Sequence, residues 1–316
     1  MLTSARLALK LHRFETLAAV LGGLVAGVAA LVVAYRLGNV HVPAGCFDTW
    51  LSKGPFNAGD CTKPVQAFAA INESEAGKVF AAMSVLPFLV GLLAGVPIVG
   101  RELEGRTAQT AWSLEGSRPR WLARQFLPIA LPVLAAVAFA AIAADALEAT
   151  RQPWANSAYA DLTLRGGPVV ARAFAALAVG VLTGALIGRT LPAFIVAGLV
   201  SLVLVAGIGT AKDAWVSAQP TVVLDNSGHG YAQIIGSAYI APDGRQIAVA
   251  EAEALVPAGE DEPDVWLEDH GYRAVDLGNT QAQALGWETC ELTAFMGIGI
   301  AALVLAVVTV DRRRPV

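Results

Sequence analysis

Long apolar stretches alternate with shorter polar segments along this chain. Six stretches reach the length of about 20 apolar residues that a helix needs to cross the hydrocarbon core of a bilayer. They are Leu17–Tyr35, Phe80–Val99, Phe126–Leu147, Val169–Ile187, Leu191–Ile208 and Leu292–Val310. Because the backbone polar groups of a spanning segment have no water to bind, each stretch predicts a transmembrane helix. The sequence thus predicts an all-α polytopic membrane protein with six transmembrane helices.

The polar segment between the fifth and sixth stretches differs from the other connections. Strand-like runs at Thr221–Leu224, Ala232–Ile240 and Gln246–Ala250 are separated by turn signals, which predicts a small α+β subdomain. The same segment also contains a group of acidic residues and two histidines: His229, Glu260, Asp261, Glu262, Asp264, Glu268, Asp269 and His270. Their spacing matches no metal-ligand signature, so a solvated acidic surface is favoured and no metal is expected.

The distribution of charge predicts the orientation of the spans. Hydrophobic residues make up 55% of the chain and charged residues 15%, more apolar surface than a soluble core needs. One face of the six-span arrangement carries twelve Lys and Arg against five Asp and Glu, a net charge of +7. The other face has a net charge of −11. Since positive loops stay on the cytoplasmic side, both termini are predicted to be cytoplasmic in a multi-pass protein of the plasma membrane.

These boundaries divide the chain into four predicted parts. Residues 1–16 form an amphipathic cytoplasmic interface helix, with Leu7, Leu11 and Phe14 on one face. Residues 17–208 hold the first five helices, an outer loop over 36–79 and a cytoplasmic loop over 100–124. The outer loop is predicted to be irregular around its two cysteines and to turn helical from Ile71 to Val79. Residues 209–291 form the extracytoplasmic subdomain, and 292–316 the sixth helix with a basic tail. A cleaved signal peptide at the start is the alternative to the first span.

Cysteines, glycines and tryptophans add three local predictions. Cys46 and Cys61 lie 15 positions apart in one outer loop, which permits a disulfide or leaves two free thiols. Glycines repeat every four residues on two spans and allow close helix approach, within one chain or between two copies: Gly91, Gly95, Gly180, Gly184 and Gly188. Tryptophans near the span ends, Trp112 and Trp121 among them, are expected to anchor the protein at the membrane interface.

The cytoplasmic loop over residues 100–124 is richer in polar residues than membrane topology requires. Acidic and basic side chains alternate at its start, and Thr107–Leu114 can form a short helix that Gly116 and Pro119 end before the third span. The loop resembles that of the six-helix, type-2 class of ABC export permeases, where an acidic residue, a Gly-x-Thr step and a later Ser-Arg precede the third span. The matching residues are Glu102 or Glu104, Gly105, Thr107, Ser117 and Arg118.

The resemblance to ABC type-2 permeases implies partners and a set of functional residues. In that family the loop docks on a separate ATP-hydrolysing subunit, and the permease works as a dimer. ATP and Mg would then bind the partner subunit, with no cofactor and no catalytic residue on this chain, which lacks a Gly-x-x-x-x-Gly-Lys-Ser/Thr phosphate loop. A second permease copy, membrane lipid and no nucleic acid complete the expected partners. The coupling surface would consist of Glu102, Glu104, Gly105, Arg106, Thr107 and Arg118.

Two other functions remain open from the sequence. A secondary transporter needs ionisable or unwound polar groups near the midplane of the membrane, and the six apolar stretches contain charges, Asp145 and Arg172, only near their ends. A sensor or assembly protein would act through the subdomain over 209–291. The favoured function is the membrane subunit of an ATP-driven exporter, with a hydrophobic or amphipathic substrate because the spans are almost free of charge.

Overall fold

The predicted helices and strands are present in the protein, with longer helices than the apolar stretches alone indicate. The structure is a computed structural model that describes residues 8–47, 49, 59–115, 117–151, 162–219, 222–224, 231–257 and 263–313. The helices are α1 Arg13–Gly38, α2 Thr62–Ile71, α3 Gly77–Glu104, α4 Ala108–Glu115, α5 Arg118–Arg151, α6 Gly166–Ile187, α7 Thr190–Ala218, α8 Val249–Glu253, α9 Pro263–Asp269 and α10 Gln281–Arg312. The strands are β1 Val222–Leu224, β2 Tyr231–Ile240, β3 Gln246–Ala248 and β4 Arg273–Thr280.

Six of these helices are long and apolar enough to cross a membrane, which confirms the predicted fold class. In chain order they are α1, α3, α5, α6, α7 and α10, called spans 1 to 6 below. Span 3 has 34 residues and is about 50 Å long, so it extends past a hydrocarbon core of roughly 30 Å. Polar residues continue a helix once its apolar part has formed, which is why the sequence pattern underestimated the helix lengths.

The chain folds as two compact units. The first contains Met1–Trp154, Thr163–Thr210 and Glu288–Val316, and the second is formed mainly by Ala211–Trp287. In the first unit, span 2 packs along span 4, and span 1 packs along span 3. The end of this unit that carries residues 100–118 and 311–313 is called the inner end below, and the opposite end is the outer end.

Glycines bring spans 2 and 4 into backbone contact. Gly91 and Gly95 of span 2 and Gly180 and Gly184 of span 4 line the contact. A methyl group added at Gly91 would lie 2.6 Å from the carbonyl oxygen of Ala173, and one added at Gly184 would lie 2.7 Å from the carbonyl oxygen of Val96. Both distances are below normal van der Waals contact. In this chain the two glycine stripes therefore face each other.

A tight hairpin joins spans 4 and 5, as the sequence predicts. Gly188 ends span 4 with a left-handed φ of +69°, and its N–H donates to the carbonyl oxygen of Gly184 at 2.9 Å. This conformation favours glycine because a side chain is strained there. Span 5 begins at Thr190, and Pro192 falls in its first turn, where the missing proline N–H costs no helical hydrogen bond.

The loop between spans 1 and 2 is more helical than predicted. Irregular structure is predicted around Pro64, but Pro64 lies in the first turn of α2, where proline is tolerated. A π-helical turn, Asn72–Ala76, then leads into span 2. The sulfur atoms of Cys46 and Cys61 are bonded to each other, with Cα atoms 5.1 Å apart.

Charged side chains of different spans meet towards the outer end of the first unit. The Nε–H of Arg172 on span 4 donates to the Glu291 carboxylate on span 6 at 2.7 Å. The Arg172 side chain is 12% exposed and that of Glu291 is 1% exposed, so the two charges neutralise each other away from water. Asp145 of span 3 lies 3.9 Å from the Arg165 guanidinium. The sequence pattern located Arg172 and Asp145 near span ends but not their partners.

The second unit contains a four-stranded antiparallel sheet with strand order β1-β4-β2-β3. Tyr239 of β2 packs against Ile247 and Leu267 in a small core, and its hydroxyl donates to the Asp264 carboxylate on α9 at 2.8 Å. This hydrogen bond raises the pKa of Tyr239 to about 12. The predicted runs contain β1, β3 and nearly all of β2, but the third run was too long, because the chain begins α8 at Val249. Strand β4 and helices α8 and α9 were not predicted. His229 and residues 260–262 of the predicted acidic surface lie outside the described residues.

Candidate coupling site at the inner end

A tight turn follows span 2 at the inner end and begins the predicted coupling loop. The helix ends at Glu104, and the Gly105 N–H still donates to the carbonyl oxygen of Arg101 at 2.9 Å. Arg106 then takes a left-handed φ of +56°, which is uncommon for a residue other than glycine. Thr107 closes the turn, since its hydroxyl donates to the Glu102 carboxylate at 2.5 Å and its N–H to the Glu102 carbonyl at 3.1 Å.

Glu104 binds the start of span 5. Its carboxylate accepts the backbone N–H of Thr190 at 3.0 Å and the Thr190 hydroxyl at 2.7 Å. The first N–H groups of a helix have no partner within the helix, and a carboxylate there also interacts favourably with the helix dipole. The role of Glu104 in a docking surface stays a prediction. Its side chain is exposed and also caps another helix of the same chain.

The helix α4 lies in the position predicted for a short coupling helix. Ala108 and Trp112 are buried against span 3, and the Trp112 ring meets the Trp121 ring edge-on with centroids 5.9 Å apart. The prediction that these two tryptophans anchor the protein in the membrane interface is wrong, because both rings are buried between helices of the protein. Thr110 and Ser113 occupy the exposed face of α4. Among the described residues of α4, only this face is open to a partner protein. The turn that precedes α4 is open as well.

Arg118 is the first residue of span 3, and it contacts the end of span 6. Its Nη1 donates to the carbonyl oxygens of Asp311 and Arg313 at 2.7 and 2.5 Å. The guanidinium also lies 4.7 Å from the ring centroid of Trp112. Arg118 is partly buried, so it faces neighbouring helices more than a docking partner.

The segment before span 1 packs beside the same loop. Arg101 of span 2 forms an ion pair with Glu15 at 3.1 Å and also donates to the Leu11 carbonyl at 3.4 Å. His12 is 1% exposed, and neither ring nitrogen has a hydrogen-bond partner among the described residues. Burial lowers the pKa of His12, which keeps the imidazole neutral near pH 7. The predicted interface-helix residue Leu7 lies outside the described residues, and Leu11 and Phe14 are exposed.

The six predicted coupling residues make different contacts. Gly105, Arg106 and Thr107 form the exposed turn, in which Thr107 binds Glu102, whereas Glu104 is exposed but caps span 5 and Arg118 is partly buried against the end of span 6. Sequence reasoning missed the contacts of Trp112 and Arg313 with this site. The available signal was an arginine, Arg118, six positions after Trp112. The contact with the end of span 6 gave no signal, because only the folded bundle brings that end close to Arg118.

Comparison with known proteins agrees with a multi-pass membrane protein. The family described as ABC-2 membrane transporter related matches residues 17–212, which contain spans 2 to 4, most of spans 1 and 5, and the whole inner loop. Searches of the curated proteins and of the solved structures found no match to the chain. The family match covers well over half of the 316 residues. By its sequence and its six apolar helices, the chain belongs to the ABC-2 membrane transporter related family.

Proposed function

We propose that this chain is the permease subunit of an ATP-driven exporter and that the exposed turn at Gly105–Thr107, with the outer face of α4, is where a separate ATPase subunit docks. The observation that carries this proposal is the placement of a short helix at the inner end of the bundle, packed on span 3 through Trp112 and connected to span 2 by a tight turn. The same segment lies within the matched family region.

Energy from ATP must reach this chain from outside. The sequence has no Gly-x-x-x-x-Gly-Lys-Ser/Thr loop to hold nucleotide phosphates, so the proposed ATP and Mg sites belong to the partner subunit. ATP binding there would favour one of two permease conformations, because a ligand shifts a conformational equilibrium by its difference in affinity for the two states. Under this proposal the inner end faces the cytoplasm of a cell whose plasma membrane holds the chain, in line with the positive charge of its loops.

A second permease copy and an apolar substrate are part of the same proposal. Span 5 exposes large apolar side chains over most of its length, with Leu191 72% and Val203 70% exposed, and these require lipid or another helix as cover. Spans that present Leu, Val, Ala and Phe favour a hydrophobic or amphipathic substrate through burial of apolar area. Mass photometry of the purified chain in nanodiscs measures the copy number directly.

Site-specific cross-linking tests the docking surface. A photoreactive amino acid at Thr110, on the exposed face of α4, should cross-link in native membranes to a protein that hydrolyses ATP. The matched control is the same amino acid at Asp243, an exposed position in the turn between β2 and β3. Cross-linking of an ATPase at Thr110 and not at Asp243 supports the proposal. An inserted chain that cross-links no ATPase from Thr110 contradicts it.

A secondary transporter is the second candidate because of one observation, the buried pair of Arg172 and Glu291 between spans 4 and 6. Buried ionisable groups in membrane helices commonly belong to ion or proton pathways. Here the two charges balance each other, so the pair is explained by helix packing without a coupled ion. Transport that stops when the proton gradient is dissipated, and continues when cellular ATP is depleted, would favour this candidate over the exporter.

A further inference from the structure

Arg118 connects the short helix α4 to the other helices of the bundle. Its guanidinium lies over the ring of Trp112, 4.7 Å from the centroid, and Trp112 is one of the buried residues that hold α4 on span 3. Arginine stacks on aromatic rings while its N–H groups stay free to donate, which lysine does less well. Arg118 can therefore hold α4 on one side and a second structure on the other.

The second structure is the carboxyl end of span 6. The Nη1 of Arg118 donates to the carbonyl oxygens of Asp311 and Arg313 at 2.7 and 2.5 Å, with the Val310 carbonyl oxygen 3.4 Å away. The last carbonyl groups of a helix lack partners within the helix and carry partial negative charge, so a cation there is stabilising. Arg118 thus caps span 6 from another helix.

Arg313 continues the connection to span 4. Its guanidinium donates to the carbonyl oxygen of Ala185, in the last turn of that span. Gly188 leaves the space for it, because a methyl group at Gly188 would lie 2.7 Å from Nη2 of Arg313. Two arginines in series therefore connect α4 to the ends of spans 6 and 4.

We propose that Arg118 and Arg313 are positioning residues that fasten α4 to the inner ends of spans 6 and 4 and carry its movement to them. This inference rests on the proposed function for the source of that movement. It changes the expected role of Arg118, which acts inside the permease and does not contact the ATPase. Chains of packed and hydrogen-bonded groups can carry coupling of this kind, and the two arginines supply one.

The test uses variants of the full chain, co-expressed with its native neighbours and purified in mild detergent. Arg118→Ala and Arg313→Ala each remove one connection, and Arg118→Lys keeps the charge. The matched control is Arg312→Ala, which removes an exposed arginine at the same helix end. Three quantities are measured: recovery of the ATPase subunit, amide hydrogen exchange at residues 183–188 and 306–313, and the change in that exchange when ATP and Mg are added.

We expect Arg118→Ala to recover the ATPase subunit as well as the unaltered chain does. Without nucleotide, exchange at residues 310–313 should rise roughly tenfold, which is the effect of losing a hydrogen bond to a charged group. The ATP-dependent change at the ends of spans 4 and 6 should disappear in both alanine variants, return in part in Arg118→Lys and stay normal in Arg312→Ala. If Arg118 served folding alone, Arg118→Ala would not lose the ATP-dependent exchange change while keeping its recovery of the ATPase subunit.

Two outcomes would overturn the inference. An ATP-dependent exchange change of normal size in Arg118→Ala would show that the arginines carry no movement. Loss of ATPase recovery in Arg118→Ala would make Arg118 a docking residue instead. If the unaltered chain recovers no ATPase, the proposed function fails, and the connection is then judged from the nucleotide-free exchange alone, where an unchanged rate at residues 310–313 in Arg118→Ala would refute it.

Discussion

The close contact of spans 2 and 4 makes the effect of one methyl group measurable. An alanine at Gly184 would place its Cβ 2.7 Å from the Val96 carbonyl oxygen and 3.1 Å from the Gly100 nitrogen. Ordinary contacts of a Cβ atom begin near 3.4 Å, so the helices must separate by about 0.7 Å. Backbone atoms cannot rotate away as a side chain can. A gap of roughly 0.5–1 Å loses a quarter to a half of the dispersion attraction along a contact, and overpacking of this kind costs about 1–3 kcal/mol.

The matched control is Gly198→Ala in span 5, where no atom lies within 4 Å of an added Cβ. Both substitutions gain the same helix propensity, about 1 kcal/mol relative to glycine, so the difference between the two variants isolates the packing cost. Unfolding by titration with sodium dodecyl sulfate, followed by tryptophan fluorescence, gives that difference. We expect Gly184→Ala to be about 1–3 kcal/mol less stable than Gly198→Ala. Equal stability of the two would refute the backbone contact between spans 2 and 4.

Three further predictions concern other parts of the chain. Arg172→Ala leaves the Glu291 carboxylate buried without its cation, so the free energy of unfolding should fall by about 3–5 kcal/mol, and an unchanged unfolding curve would contradict the buried ion pair. Absorbance titration of the full chain should show a component with a pKa of about 12 that Tyr239→Phe removes. Because this pKa is raised, the contribution of the Tyr239 hydrogen bond to the free energy of unfolding is complete below pH 10 and is lost as pH rises towards 12. Cys61→Ser should lower stability by about 3 kcal/mol by opening the loop to Cys46, and reduction of the unaltered chain should give the same loss.

The number and type of spans could be predicted because they depend on local properties. Each apolar stretch such as Val169–Ile187 is long enough by itself to require a helix in lipid, whatever its neighbours are. The short helix α4 was also predicted, since turn residues lie on both sides of it. The strand β4 was missed because Asp276, Gly278 and Asn279 have low β-propensity, and its pairing with β1 and β2 overrides that preference.

The roles of individual loop residues could not be predicted, because they depend on contacts between distant parts of the chain. Glu104 looks like a surface carboxylate in the sequence, and only the folded bundle brings the start of span 5 to it at Thr190, 86 positions later. Arg118 meets the carbonyl of Asp311, which lies 193 positions away. Charge and spacing single out the loop, but only the packed structure separates its exposed side chains from those that contact other helices.

We propose above that this chain works with a separate ATPase subunit through the turn at Gly105–Thr107 and α4. The most direct measurement is a pull-down of the tagged chain in mild detergent from its native host, with ATP hydrolysis assayed on the eluate. We expect a nucleotide-binding subunit in about equal amount, and we expect its loss from an Arg106→Glu variant that still inserts, because Arg106 is exposed at the proposed docking turn. Recovery of the intact chain alone, with no ATP hydrolysis in the eluate, would refute the proposed partnership.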